Sequence, residues 1–170
     1  WPLVAMTLAF AALAMLPRYW ALGVRPPMHD ESMFAYYGFD ALRRGHYTHM
    51  PILHGPALEL TVGWIFNLFG DSLAVARAWI ATCSLVAMAA ALALVPRRGR
   101  WWFAMLLLTS PVLLYYSRFF RNEMLFNALL MLGMLGAARS LSPTPWRMAW
   151  GVLAAVALPA LLCVKENALF

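Results

Sequence analysis

Residues 25–38, RPPMHDESMFAYYG, set His29, Asp30 and Glu31 side by side. Adjacent carboxylates can take a proton from a hydroxyl, hold a cation, or cap a helix. A cap needs only one of them, and the second like charge raises the local cost unless a metal, a cationic partner or a proton-transfer role offsets it. A second polar group lies in YYSRFFRNEMLF, residues 115–126, which carries Arg118, Arg121 and Glu123. Arginines at a membrane face commonly serve as snorkelling anchors. The chemical alternative is a planar two-pronged grip on a phosphate ester, and a polyprenyl phosphate presents its head at that depth.

The elements that must position these groups are apolar. Of 170 residues, 64% are hydrophobic and 12% charged, which is outside the balance of a soluble domain and reads as an integral membrane protein. The net charge of +6 fits basic loops flanking membrane spans better than nucleic-acid binding. Cys83 and Cys163 stand in apolar segments as small hydrophobes, with no disulfide framework and no metal-ligand spacing. The chain begins at Trp1 without an initiator Met and stops just after Lys-Glu-Asn, so it reads as a fragment of a longer protein. Its first apolar stretch is too long for a signal peptide and lacks a small-residue cleavage pattern, so it reads as a span.

Five spans are expected, over about residues 1–24, 72–95, 101–116, 124–138 and 148–164, against the roughly 20 residues a crossing helix needs. An outer loop, 25–71, carries juxtamembrane helices. Within it Ser32 is expected to cap a helix that Gly45 ends, with Asp30 and Glu31 just before the N-terminus, where free N–H groups favour anions. A second stretch, about 56–70, is apolar but short and holds Glu59, as an interfacial helix would. If it does not cross, PRRGR (96–100) and RSLSPTPWR (139–147) share one face, and arginine-rich short loops mark that face as cytoplasmic. All seven acids and all four histidines (His29, His46, His49, His54) then fall on the outer face. If it does cross, the two acidic loops are on opposite faces. The first arrangement is preferred.

The order of these features resembles the C-type glycosyltransferases: HDE after the first span, a loop helix ending in Gly, HGP leading to a W…FG segment, and SR, four residues, then an acid. The likeness is to the branch with dolichyl-phosphate-mannose protein mannosyltransferases and lipid A aminoarabinose transferases, above all to the flippase-activity-associated membrane proteins of surface-glycan pathways. It implies an all-α multi-span membrane module, of which residues 1–170 are the N-terminal part. The family's first-loop acidic pair falls on Asp30 and Glu31, and the resemblance makes Asp30 the general base toward the acceptor. Its SR…D motif falls on Ser117, Arg118 and Glu123, with Glu in place of Asp. Where the family often has Lys before the Pro of the second loop segment, this chain has His54. The later KE stretch makes Lys165 a contact to the lipid phosphate.

The expected activity is an inverting transfer of a sugar from a polyprenyl-phosphate donor to a hydroxyl of a glycan, lipid or protein, at the outer face of the cell membrane. Asp30 takes the acceptor proton, and Arg118, Arg121, His54 and Lys165 are the candidates for holding the donor phosphate. Glu31 and Glu123 orient these groups or hold a divalent cation, and no ion is assigned. A lipid-linked glycan flippase or transporter would use the same acids and arginines without bond chemistry. It should also carry ionisable residues at mid-bilayer, whereas the proposed spans show Asn127 and no charge near a centre. A purely structural membrane subunit leaves the carboxylate pair unexplained.

Overall fold

The computed structural model describes residues 2–45, 47 and 54–165, with side chains from residue 9 onward; His46, His49 and Glu166 of the expected outer face lie outside them. The described residues form α1 (Pro2–Tyr19), α2 (His29–Arg44), α3 (Ala57–Phe69), α4 (Leu73–Leu94), α5 (Arg100–Thr109), α6 (Pro111–Ser117), α7 (Asn122–Ser140) and α8 (Arg147–Ala160), the last running into a 3-10 turn, Leu161–Cys163. No strand occurs among them.

The helix boundaries follow local chemistry and correct two expectations. Helix α2 starts at His29, not after Ser32, because Pro26 and Pro27 hold the chain extended up to Met28 (φ −82°, ψ 161°) and the helix can open directly behind it. Asp30 and Glu31 therefore sit inside the first turn, and the Glu31 carboxylate accepts the Met28 N–H at 3.1 Å. Ser32 instead donates to Met28 O at 3.3 Å. Gly45 ends the helix as expected, with φ 67° and its N–H on Ala41 O. The expected span 101–116 is broken into α5 and α6 at Ser110, whose hydroxyl accepts the Leu113 N–H while Pro111 takes the first position of α6.

Among the described residues α4 alone, 22 residues capped by the Ser72 hydroxyl, is long and apolar enough to cross a membrane by itself. It packs along α7, and α7 packs along α8. Gly136 makes the second approach possible, since a Cβ there would stand 2.8 Å from Trp150 O and 2.9 Å from Ala154 N. The buried core joins Phe34 of α2, Leu58, Val62 and Phe66 of α3, Ile80 of α4, and Phe120 and Met124 around the start of α7.

The bundle has two unlike ends. At one, α4 ends, α5 begins, and α7 turns into α8, which gathers Arg97, Arg98, Arg100, Arg139 and Arg147 with the exposed Trp101, Trp102 and Trp146. At the other, α1 and α6 end, and α2, α4 and α7 begin. Both ends of α3 lie here too: Gly55, just before it, bonds through its N–H to Val164 O at 3.3 Å, and Gly70 leads at once into α4. Helix α3 thus lies across this end rather than running through the bundle. The described acids lie at this end and the two arginine-rich turns at the other.

Candidate functional site

The two neighbours Asp30 and Glu31 occupy opposite environments. Glu31 is fully buried, and its carboxylate receives Arg77 Nε at 2.9 Å, Arg77 Nη2 at 2.8 Å, Arg25 Nη2 at 2.9 Å and the Phe120 N–H at 2.9 Å, besides Met28 N–H. Burial alone would raise its pKa. The bonds from Arg77, Phe120 and Met28, with the charge of Arg77, override that and hold the carboxyl below the usual range. Glu31 is thereby a knot tying α2, α4 and the α6–α7 corner together, with no lone pair free for a proton in transit.

Asp30 is about two-fifths exposed, and its Oδ2 stands 3.6 Å from Arg121 Nη2. It lines a cavity of about 220 Å³ with Met28, His29, Tyr115, Tyr116, Phe119 and Arg121. Phe119 fixes the cationic side of this cavity, since the guanidinium of Arg25 lies 5.0 Å and that of Arg121 5.7 Å from its ring centre. From Arg121 the charges alternate: its Nε is 3.8 Å from Glu123 Oε2, and Glu123 Oε1 is 3.3 Å from Lys165 Nζ. Glu123 Oε2 is buried without a hydrogen bond.

His54 approaches this row through the backbone. A Cβ at Gly55 would fall 2.1 Å from Cys163 O, so only glycine lets the backbone at residues 54–55 lie against residues 163–165. His54 itself has φ 68°. The sequence-selected residues Asp30, Arg121, Glu123, Lys165 and His54 are thus brought to one end of the molecule. Arg118 is turned elsewhere: its Nη1 donates to Pro17 O and its Nη2 to Trp20 O at 2.7 Å, closing the C-terminal carbonyls of α1.

The divalent cation considered for Glu31 and Glu123 does not fit these donors. Glu31 has both oxygens on arginines, and Arg121 stands between Asp30 and Glu123. Among the described residues no three His, Cys, Asp or Glu side chains converge.

No protein-family model matches the chain, and no curated protein matches it by sequence. Its structure is similar to the crystal structure of ArnT from Cupriavidus metallidurans bound to undecaprenyl phosphate, with a TM-score of 0.77 and 17% identity over 95% of this chain and 32% of that one. The two chains share a fold over this length. The chain spans about a third of the length of that neighbour, and at this identity the likeness concerns the fold alone.

Two arginines escaped the sequence reading. Arg77 is buried on α4 and donates to Leu22 O, Arg25 O and Pro26 O as well as to Glu31. Arg18 is fully buried in the last turn of α1, where it bonds Ala14 O at 2.9 Å and reaches Ser84, near the middle of α4, at 3.4 Å. The signal was available: an arginine inside an apolar helix needs a buried acid or carbonyls, and Glu31 was the unexplained acid.

Proposed function

We propose that the chain is the N-terminal part of a multi-span membrane module that moves a sugar from a polyprenyl-phosphate donor to a hydroxyl acceptor, with inversion at the anomeric carbon. The observation that carries this reading is the split between the neighbours: Glu31 is locked by two arginines, while Asp30 faces a cavity with Arg121 beside it. Asp30 accepts the acceptor hydroxyl's proton as its oxygen attacks the anomeric carbon, and the C–O bond to the phosphate breaks with its electron pair going to the phosphate. Arg121 and Lys165 are the cations placed to neutralise that leaving group, and Glu123 between them sets their spacing. Arg118 positions the end of α1 instead. The arginine-rich turns at the opposite end support an acid end on the outer side of the cell membrane. The fold shared with a protein that binds undecaprenyl phosphate supports the donor class.

A second reading, translocation of a lipid-linked glycan without bond chemistry, has Arg18 in its favour, a buried charge reaching the middle of α4. Transfer of radiolabel from a polyprenyl-phosphate sugar by the full-length protein separates the two. Asp30→Asn should lower transfer by about 10²- to 10⁴-fold with unchanged folding, the scale of a lost general base. Equal transfer by wild type and Asp30→Asn removes the base, and no transfer by either favours translocation.

A further inference from the structure

A second cavity, of about 250 Å³, lies where α2 crosses α3 and is lined by Tyr47, Glu59 and Trp64 together with Gly38, Leu42 and Gly63. It begins eight residues along α2 from Asp30, roughly 12 Å down the helix axis, so it is separate from the Asp30 cavity. The crossing is close because both helices present glycine: a Cβ at Gly63 would stand 2.8 Å from Gly38 O, and one at Gly38 would meet Val62 Cγ1 at 2.3 Å. Such an approach leaves a hollow beside the crossing rather than a packed seam.

Glu59 is 2% exposed, and its Oε1 has no hydrogen-bond partner among the described residues. The Tyr47 phenol bonds the carboxyl, which burial pushes up to about 7. Among the described residues no lysine or arginine lines the cavity. A carboxylate can only accept hydrogen bonds, and a buried one without a cation is costly, so the complementary occupant is a compact positive donor. The aromatic rings of Tyr47 and Trp64 on the wall suit the same charge. Trp64 is 67% exposed, so the wall is reachable from outside.

We infer that the α2–α3 cavity is a binding site for an ammonium group, held by the Glu59 carboxylate and walled by Tyr47 and Trp64. A neutral hydroxyl would leave the carboxylate's charge uncompensated, whereas an ammonium supplies both charge and donors. The ammonium can belong to a lipid head group or to a free amine, which present the same charge and donors.

Ethanolamine titrated calorimetrically into the full-length protein in neutral detergent tests this, with ethylene glycol as the uncharged match. Saturable binding of ethanolamine alone is expected, weakened on the order of tenfold or more in Glu59→Gln by loss of a charge-assisted bond, and several-fold in Trp64→Ala. If Glu59→Gln fails to fold, the exposed Trp64→Ala variant carries the test. Repeating the titration in nanodiscs identifies the source: phosphatidylethanolamine that blocks added ethanolamine, where phosphatidylglycerol does not, assigns the lipid head group, and binding in both assigns the free amine. Absence of saturable binding in detergent, equal binding of the glycol, or wild-type affinity in both variants overturns the inference. Binding is read without sugar transfer, so its failure and that of the Asp30 mechanism are distinguishable.

Discussion

Glu31 and Glu59 are both glutamates of one helix pair, 0% and 2% exposed, yet the protein treats them oppositely. Around Glu31, three segments converge with two guanidinium groups and two backbone N–H groups, and the carboxyl is held below its ordinary range. At the α2–α3 crossing, Glu59 meets one phenol and apolar walls, and its carboxyl rises to about 7. Equal burial with opposite electrostatics shows that the partners, not the depth, set what a buried acid can do. The first acid is a structural tie; the second lines the cavity inferred to take an ammonium group.

Breaking the tie should have the largest effect. Glu31→Gln leaves Arg77 buried with its charge uncompensated, and the expected loss is roughly 3–5 kcal/mol, as for a buried ion pair cut on one side. The double change Glu31→Leu with Arg77→Met should recover much of it, because burial of two apolar chains needs no charge compensation. Thermal unfolding followed by circular dichroism in detergent measures both. A Glu31→Gln protein as stable as wild type would mean that the carboxylate is not the tie between α2 and α4.

The contrast between the two acids shows what sequence can and cannot reveal. The all-helical character, the loop helix ending at Gly45 and the gathering of the described acids at one end are local or compositional properties, and they could be read directly. The break at Ser110–Pro111 was also local, but a long apolar run masked a cap-and-proline signal. Glu31 and Arg77 are 46 residues apart, and Arg118 reaches carbonyls 98 and 101 residues away. No spacing rule couples such positions, so only the family resemblance gave Asp30 and Glu31 different roles, and Arg118 stood beside Arg121, His54 and Lys165 as a candidate phosphate contact. Only the fold distinguishes an arginine that closes a helix from one that faces a cavity.

Glu59 offers a smaller, signed effect. Its folded value of about 7 lies above the ordinary 4.5, so between those values the folded state binds more protons than the unfolded one. Stability from this group is complete below pH 4.5 and is lost as the pH rises through 7, by up to about 3 kcal/mol at 1.36 kcal/mol per unit. Unfolding midpoints from pH 4.5 to 8 for wild type and Glu59→Gln isolate it, since other groups cancel in the difference. The wild type should lose stability relative to the variant as pH rises; a flat difference would mean that the carboxyl is not desolvated.

The smallest effect sharpens the division of labour between the arginines of the α6–α7 corner. Arg118 holds Pro17 O and Trp20 O, whereas Arg121 stands beside Asp30, so loss of each should register in a different measurement. Arg118→Ala frees two carbonyls at a partly solvated helix end, where water replaces much of what is lost, and should cost about 1 kcal/mol of stability. Arg118→Lys keeps a cation but can reach only one carbonyl well, so it should fall between. Neither should move the dependence of transfer on donor concentration. Arg121→Ala should do the reverse, because its guanidinium supports no helix end but lines the cavity. A donor curve shifted by Arg118→Ala and untouched by Arg121→Ala would exchange the two roles, placing the phosphate at the end of α1 and leaving Arg121 as a surface partner of two acids.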